Sequence, residues 1–387
     1  MHKTRPDPST IGEIARLFFR LGCVAFGGPA AHIAMMEDEF VTRRKWIGRE
    51  HFLDLIGATN LIPGPNSTEM TMHVGFERGG WPGLFVAGTS FIFPAALITG
   101  ILAWLYVRFG TLPDVEPYLL GIKPAVLVVI VGALWKLARK AVKGWPHAAI
   151  GVGALGALAL GVGEVAALLV GGAAGMLFLR ARASVAAAHV LPVLPGSWKA
   201  PLIAGAAAAV TTSAVSLWKL GLFFLKVGAV LYGSGYVLFA FLEGDLVEEY
   251  GWLTNEQLVD AIAIGQFTPG PVLSTATFIG YVIAGWQGAI VATVAIFLPS
   301  FLFVLILNPI IPRLRQSVWM SAFLDAVNVA AVALMAWVSI RIGVATMIEW
   351  EAWVIFALAA AAVFRFRINA AWIILGGAAL GVVLRFV

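Results

Sequence analysis

The sequence predicts an all-α polytopic membrane protein, built from two homologous repeats of inverted topology with broken or re-entrant helices and about 9–13 membrane segments. Three features predict this fold: high hydrophobicity, an internal duplication, and loop charges that differ between equivalent loops. Of the 387 residues, 60% are hydrophobic and 12% are charged, and the mean hydropathy is +0.91. This composition excludes a soluble globule with a large buried core, because too little polar surface remains to cover it.

The duplication relates the two halves of the chain at a constant offset. Residues 17–65 align without a gap onto residues 223–271, 206 positions later, and the register then slips by one residue. Helix-breaking and aromatic residues recur at matching places, among them Gly22 and Gly228, Trp46 and Trp252, Pro63-Gly64-Pro65 and Pro269-Gly270-Pro271, and Pro94 and Pro299. Such repeats point to a transporter, because they build a site where interrupted helices meet.

Apolar segments number six in each half, with one connector between the halves. The first-half segments are about Phe18–Met36, Phe52–Val74, Trp81–Val107, Tyr118–Leu137, His147–Val162 and Val165–Leu179. The others are about Pro201–Ser216 for the connector, then Phe223–Phe241, Gln257–Val282, Gly288–Asn308, Ser321–Ile340, Trp350–Phe364 and Ile368–Val387. The predicted domains are an N-terminal repeat (1–180), a linker with the connecting segment (181–220) and an inverted C-terminal repeat (221–387). An odd connecting segment inverts the second repeat.

Loop charges support the inversion. Basic residues gather at Arg43 to Arg49, Arg139 to Lys143, Arg180 and Arg182, Arg313 and Arg315, and Arg365 and Arg367. Acidic residues gather at Asp114 and Glu116, at Glu164, and between Glu243 and Glu256. Loops that the repeat makes equivalent therefore carry opposite charge, which the positive-inside rule assigns to opposite sides of the membrane. We expect a multi-pass protein of the bacterial cytoplasmic membrane with its N-terminus in the cytoplasm.

The first two segments of each half have two alternative paths. Full crossings would place the Arg43–Arg49 loop outside and the Glu243–Glu256 loop inside, against the charge rule. Re-entrant hairpins leave the other loops unchanged and put both of these on their preferred sides. We favour re-entry, with turns at Gly27-Gly28-Pro29, Gly64, Gly233-Ser234-Gly235 and Gly270.

The Pro-Gly-Pro breaks are the first candidate site. Proline removes a backbone donor and biases the preceding residue toward an extended conformation, so neither break continues a helix. Asn66 and Ser67 follow the first break, whereas Gln266 and Thr268 precede the second. Two opposed helix N-termini offer amides and partial positive charge, which suit an anion. The alternative is an ordinary proline kink.

Ionisable residues within apolar segments are the second candidate. Arg20 and Lys226 are equivalent by the repeat, and Lys123 lies between Gly121 and Pro124. Either these cations line a cavity for a divalent oxyanion, or Arg20 and Lys226 extend to the membrane surface from segment ends.

Glu69, His73 and Glu77 form the third candidate, on one face of the helix after the first break. A carboxylate and an imidazole at this spacing could relay protons. Glu77 could equally mark the membrane edge, and His32 could be an ordinary core histidine.

Long strings in both halves give a family resemblance. The chain resembles the chromate ion transporter family, long two-domain type, in FGGPAAHIAMM (Phe26–Met36), LIPGPNSTEM (Leu61–Met70), RGGWPG (Arg78–Gly83), GIKPAV (Gly121–Val126), YGSGYVL (Tyr232–Leu238) and GQFTPGPVLSTATFIGY (Gly265–Tyr281). The resemblance implies secondary-active efflux of chromate, a tetrahedral dianion similar to sulfate, coupled to protons or to anion exchange, and so chromate resistance. Glu69 stands where many members carry glutamine.

The resulting hypothesis assigns roles to named residues. Candidate anion-binding residues are Gly27, Gly28, Pro63, Gly64, Pro65, Asn66, Ser67, Lys123, Gln266, Thr268, Pro269, Gly270 and Pro271. Candidates for charge compensation or coupling are Arg20, Lys226, His32, Glu69 and His73. Replacing Lys123 with methionine is expected to abolish efflux.

Other classes remain as alternatives. A sulfate or other oxyanion transporter, or an anion channel, could use the same design. A membrane phosphoesterase would need a metal or nucleophile cluster, and the sequence has no HExxH, Cys-rich or paired-Asp motif. We expect no enzyme activity, cofactor, metal or nucleic-acid partner. The expected partners are chromate or sulfate and the lipid bilayer, and a homodimer stays open.

Overall fold

The computed structural model describes residues 8–26, 28–59, 62–110, 116–185, 215–232, 237–307, 317–366 and 368–385. No strand occurs within these ranges, and the structure is helical, as the composition predicts. Several predicted features lie outside the described residues: Gly27, the turn at 233–235, Arg313 and Arg315, and all but the last two residues of the connector Pro201–Ser216.

The first repeat contains seven helices among the described residues. They are α1 (Pro8–Val24), α2 (Pro29–Met36), which continues into a π-helical segment (Glu37–Arg43), α3 (Arg49–Thr59), α4 (Asn66–Phe109), α5 (Glu116–Ala141), α6 (Trp145–Ala159) and α7 (Glu164–Val185).

The second repeat follows the same order. Its elements are α8 (Leu217–Val230), α9 (Leu238–Leu242) with a π-helical segment (Glu243–Glu249), α10 (Asn255–Phe267), a 3₁₀ turn (Val272–Ser274), α11 (Thr275–Leu307), α12 (Val318–Thr346), α13 (Trp350–Phe364) and α14 (Ala370–Arg385). The division into domains at 181–220 stays a prediction.

The first hairpin of each repeat folds back along its own first helix. In the first repeat, Arg44 Nη1 lies 2.7 Å from Glu13 Oε1, and the rings of Phe18 and Phe40 are 5.0 Å apart. These contacts require α2 and its π-helical extension to run back along α1. In the second repeat, Lys226 Nζ lies 2.5 Å from Asp245 Oδ2, which reverses the chain in the same way.

The second hairpin also returns to its starting end. His51 Nε2, at the start of α3, lies 3.6 Å from Glu77 Oε1 in α4. Helix α4 then breaks at Gly80, and the close contact of Gly75 with Gly83 shows that the chain reverses there. The 44 residues of α4 are therefore a short returning arm followed by a crossing helix. Helix α11 repeats this break at Gly285.

The two repeats are inverted relative to each other. The crossing arms of α4 and α11 are equivalent by the repeat and pack side by side. Phe85 stacks on Phe301 at one end of this pair, at 5.7 Å between ring centroids. At the other end, a Cβ added to Gly100 would lie 2.9 Å from the Trp286 ring. The equivalent arms are thus antiparallel, as an inverted duplication requires.

The two ends of the molecule, where the helices terminate, differ in the charge of their residues. At one end, here called the basic end, Lys143 Nζ contacts Asp325 Oδ1 at 2.6 Å and Arg180 lies over Trp319. The other end, here called the acidic end, contains Glu164, Glu243, Asp245, Glu248, Glu249 and Glu256.

The protein is a multi-pass membrane protein. Four helical stretches among the described residues are long and apolar enough to cross a bilayer: Asn66–Phe109, Leu120–Ala141, Val272–Ile306 and Val318–Val344. The α4 stretch owes part of its length to the returning arm described above. Large apolar side chains such as Phe93, Val294 and Ile306 are more than half exposed on the crossing arms, where they suit contact with lipid.

Candidate functional site

The hairpin tips of the two repeats meet in two reciprocal hydrogen bonds. The Gly64 amide donates to the Leu231 carbonyl at 2.6 Å, and the Gly270 amide donates to the Ala25 carbonyl at 2.8 Å. Gly64 is equivalent to Gly270, and Ala25 to Leu231, so one contact is the symmetry mate of the other. Both Pro-Gly-Pro breaks therefore lie where the repeats join, here called the tip junction.

The central glycines have backbone conformations that favour glycine. Gly64 has φ 139° and Gly270 has φ 91°, and L side chains rarely adopt such values. Their amides are already bound by carbonyls of the opposite repeat. Both amides hold the repeats together, and the flanking prolines shape the turns, while a role for these residues in binding the anion stays a prediction.

Other amides near the first break remain suited to an anion. The amides of Thr68 and Glu69 close onto the Pro65 carbonyl at 2.8 and 3.1 Å. Asn66 and Ser67 are the first two residues of α4, so their amides precede its first intrahelical hydrogen bond. A helix N-terminus with such amides attracts negative charge.

His32 connects the first break to the tip junction. Its Nε2 lies 3.0 Å from the Ala25 carbonyl, which can only accept a hydrogen bond, so Nε2 carries the proton. In a neutral ring, Nδ1 is then the acceptor for the Ser67 hydroxyl, 3.2 Å away. The ring is 1% exposed and meets Phe91 edge-on. Ala25 thus accepts from both His32 and Gly270.

Glu69 and Ser300 lie beside Gly64. A Cβ at Gly64 would collide with the Glu69 carboxylate and with the Ser300 hydroxyl. Both side chains are 0% exposed, and neither has a hydrogen-bond partner of ordinary geometry among the described residues. The Thr68 hydroxyl is also buried and has no hydrogen-bond partner among the described residues. Buried polar groups without partners are rare, so this cluster is a candidate ligand site.

The second repeat adds a buried amide. Gln266, near the end of α10, is 8% exposed, and its Nε2 has no partner among the described residues. The Thr268 hydroxyl donates to the Ile264 carbonyl at 2.7 Å, so its hydrogen is not available to an anion. We therefore keep Gln266 as a candidate donor and assign Thr268 a capping role at the end of α10.

The predicted cationic lining does not reach the tip junction. Lys123 Nζ lies 3.2 Å from Glu256 Oε1, at the outer end of α10. Lys226 pairs with Asp245, and Arg20 is exposed on α1. Each cation lies toward a helix end or the surface, which favours the snorkelling alternative for Arg20 and Lys226, and a role for the three cations in anion binding stays a prediction. Positive potential at the junction comes instead from the N-termini of helices.

The remaining predicted residues lie close to the junction. Gly28 is buried, has φ 79° and precedes the first turn of α2. His73 is 1% exposed and lies one turn beyond Glu69. Glu77 pairs with His51 at the outer end of the hairpin, which supports the interpretation that it marks the membrane edge.

Sequence reasoning missed three contributors: Ala25 and Leu231, whose carbonyls close the junction, and Ser300. A signal for Ser300 was present, since Pro94 and Pro299 are equivalent and Ser300 stands where the first repeat has Ala95.

A cavity of about 430 Å³ opens at the acidic end, where Glu164, Asp245 and Glu248 line it together with Arg341. Arg341 Nε lies 3.3 Å from Glu243 Oε1, and Arg341 also pairs with Glu248. Burial raises the pKa of Glu243 to about 7, although Arg341 opposes the shift. The cavity carries excess negative charge, so it would repel an anion and cannot be its resting site.

Comparison with known proteins gives a consistent result. The sequence profile described as "Chromate transporter" matches residues 12–176 and again residues 218–382. A chromate transport protein of Cupriavidus metallidurans is 31% identical over 385 residues, which cover 96% of this chain and 92% of that protein. A probable chromate transport protein of Synechococcus elongatus is 30% identical over 345 residues, which cover 86% and 85%. No solved structure matches the chain.

Proposed function

This chain belongs to the chromate transporter family, and we propose that it is a secondary active transporter that exports chromate across the bacterial cytoplasmic membrane and so confers chromate resistance. Family membership supports chromate transport and points to a transporter rather than an enzyme. The direction, the driving ion and the membrane are parts of the proposal.

The tip junction is the observation that supports this proposal most strongly. It combines helix N-terminal amides with buried hydroxyl and amide groups that have no partner in the described part of the chain, at the point where two inverted repeats meet. Inverted-repeat transporters bind their substrates at such interfaces, with half-helix N-termini directed at anionic groups. A tetrahedral dianion offers acceptor oxygens in every direction, which matches donors contributed by different elements.

The proposed binding residues come from both repeats. The first contributes Asn66, Ser67 and Thr68, and the second contributes Gln266 and Ser300. These groups recognise charge and hydrogen-bond geometry, which sulfate shares with chromate. We therefore expect sulfate to compete.

The charged ends give the proposed orientation. The basic end faces the cytoplasm by the positive-inside rule, which also places the N-terminus there. Chromate enters from that end and is released at the acidic end, where Glu164 and Glu248 disfavour its return. Because the repeats contact each other at the junction through matched hydrogen bonds, rocking one repeat against the other would expose the site to alternate sides.

Uptake into inside-out membrane vesicles tests the proposal. Vesicles with the protein should accumulate labelled chromate in a saturable manner, and excess sulfate should reduce the rate. Collapsing the proton gradient, or preloading with sulfate, distinguishes proton coupling from exchange. Vesicles that lack the protein supply the background. Flux that does not saturate and never exceeds equilibrium would indicate a channel, and uptake equal to the background would overturn the proposal.

A further inference from the structure

We propose that Glu69 is the proton carrier of the tip junction, and that the junction binds its oxyanion only while Glu69 is protonated. This inference rests on the proposed function and adds the sign of its coupling: the anion and a proton bind together and move in the same direction. The exported complex then carries one net negative charge, so the membrane potential drives export and the proton gradient opposes it.

The surroundings of Glu69 favour the protonated form. Its side chain is 0% exposed, and among the described residues the Ser300 hydroxyl lies beside the carboxylate without ordinary hydrogen-bond geometry. An ionised carboxylate in such a site is destabilised, because a single neutral hydroxyl does not replace its lost hydration. A protonated carboxyl avoids this cost and supplies an O–H donor beside Ser300.

Among the described residues, no ion pair joins Glu69 to a lysine or an arginine. His73 lies one turn further along α4, Tyr232 follows α8 and interacts electrostatically with Glu69, and α2 contributes His32 through Ser67. Charged groups of the other packed elements are engaged elsewhere: Glu13 with Arg44, His51 with Glu77, and Asp260 with Tyr106. Arg20 of α1 is exposed.

The position of Glu69 couples its proton to the anion. Its carboxylate and the Ser300 hydroxyl both lie against Gly64, two residues before the N-terminus of α4. A dianion held by the Asn66 and Ser67 amides would therefore lie close to the carboxylate, in surroundings that screen charge poorly. Ionised Glu69 repels the anion, and protonated Glu69 can donate to it. By linkage, the proton strengthens anion binding and the anion strengthens proton binding to the same extent.

The test uses purified protein in proteoliposomes and the Glu69→Gln variant, which fixes the neutral form. Labelled chromate uptake is measured above the pH range in which chromate itself takes up a proton, so that only the protein titrates. For the natural protein, the apparent affinity should fall as pH rises, by up to about tenfold per unit for a single linked proton. The variant should bind with an affinity that does not change with pH.

Glu77→Gln is the matched control, because Glu77 lies on the same face of α4 but is bound to His51 at the outer end. It should keep the natural pH dependence. A pH-sensitive dye inside the liposomes gives a second readout that needs no variant: protons should enter with chromate in the natural protein. In Glu69→Gln, chromate exchange should continue without proton movement.

Each result has a definite meaning. A natural pH profile in Glu69→Gln, loss of anion binding at every pH in folded Glu69→Gln protein, or protons that leave as chromate enters would overturn the inference. If Glu69→Gln does not reach the membrane, the direction of proton movement in the natural protein decides. Chromate uptake that is independent of pH overturns this inference but leaves the proposed function intact, whereas no chromate uptake at all overturns the proposed function.

Discussion

The two repeats present the same backbone at the tip junction but different side chains. Each contributes a Pro-Gly-Pro glycine amide and a carbonyl acceptor, in matched positions. Around this frame, the first repeat places His32 and Ser67, where the second has Leu238 and Leu273. We propose that the symmetric backbone provides two equivalent hinges for alternating access, and that the asymmetric side chains concentrate the anion and proton chemistry in the first repeat.

The largest effects are expected from substitutions of Gly64 and Gly270. The first should reduce transport alone, and the second should also reduce the amount of protein in the membrane. In Gly64→Ala, the new methyl would displace the Glu69 and Ser300 side chains, so we expect transport to fall by more than about a hundredfold while protein remains in the membrane. In Gly270→Ala, the new methyl would lie 2.8 Å from Ala95 Cβ and 3.2 Å from the Gly22 carbonyl oxygen. Helix backbone moves less easily than the ends of the flexible side chains that face Gly64. We expect that variant to lose membrane protein as well. Transport assays and quantitative blots measure both, and equal protein loss in the two variants would contradict the distinction.

Exchanging the residues at position 32 and its repeat mate tests the asymmetry next. His32→Leu removes the hydrogen bonds to Ala25 and Ser67, and we expect chromate uptake to fall by about tenfold to a hundredfold. Leu238→His is the reciprocal change, and it should bring no gain. Restored transport in the double exchange would show that the repeats are interchangeable, contrary to our expectation.

A pair of substitutions in the second repeat should have moderate and unequal effects. Gln266→Leu removes a buried donor that has no partner among the residues that the structure describes, so the KM for chromate should rise about fivefold to tenfold while thermal stability is kept or increased. Thr268→Val removes a hydroxyl that already donates to Ile264, so the KM should stay within about twofold. A larger change for Thr268→Val than for Gln266→Leu would reverse our assignment.

Lys123→Met should have a small effect, contrary to the sequence-based expectation. Its ammonium pairs with Glu256 at the acidic end, far along α10 from the junction, and surface pairs contribute about 1 kcal/mol or less. We expect vesicle uptake within about threefold of the natural rate. Complete loss of uptake with normal membrane levels would return Lys123 to the site.

The smallest effect concerns the pH dependence of stability. Burial raises the pKa of Glu243 from 4.5 to about 7, so the folded protein binds this proton more tightly than the unfolded chain does. This group therefore makes stability fall as pH rises from about 4.5 to about 7. Glu243→Gln should flatten that slope in thermal unfolding of detergent-purified protein. Glu37→Gln, at the equivalent position of the first repeat, should not, and an unchanged slope in Glu243→Gln would refute the assignment.

Much of the fold could be predicted from the sequence, because its signals are repeated. The duplication, the Pro-Gly-Pro breaks and the loop charges each occur in both halves, and together they predicted inverted repeats with re-entrant hairpins. The charged side chains were harder to place. The partner of Lys123 is 133 residues away in the other repeat, and no local sequence pattern predicts such a contact.

The role of His32 shows the same limit at the site. Its distance from Ala25 is set by the packing of a hairpin tip, and periodicity in the sequence does not encode that distance. Ser300 could have been found by comparing it with Ala95, since a polar residue at one of two equivalent positions marks where the repeats diverge.

The most direct test of the central claim is saturable chromate uptake by a second reciprocal pair at the tip junction. Ser67→Leu gives the first repeat the residue of the second, and Leu273→Ser does the opposite. With equal amounts of each variant in inside-out vesicles, we expect Ser67→Leu to abolish saturable uptake and Leu273→Ser to stay within about twofold of the natural rate. Full uptake by Ser67→Leu, or equal losses in both variants, would contradict the claim that the first repeat carries the anion chemistry.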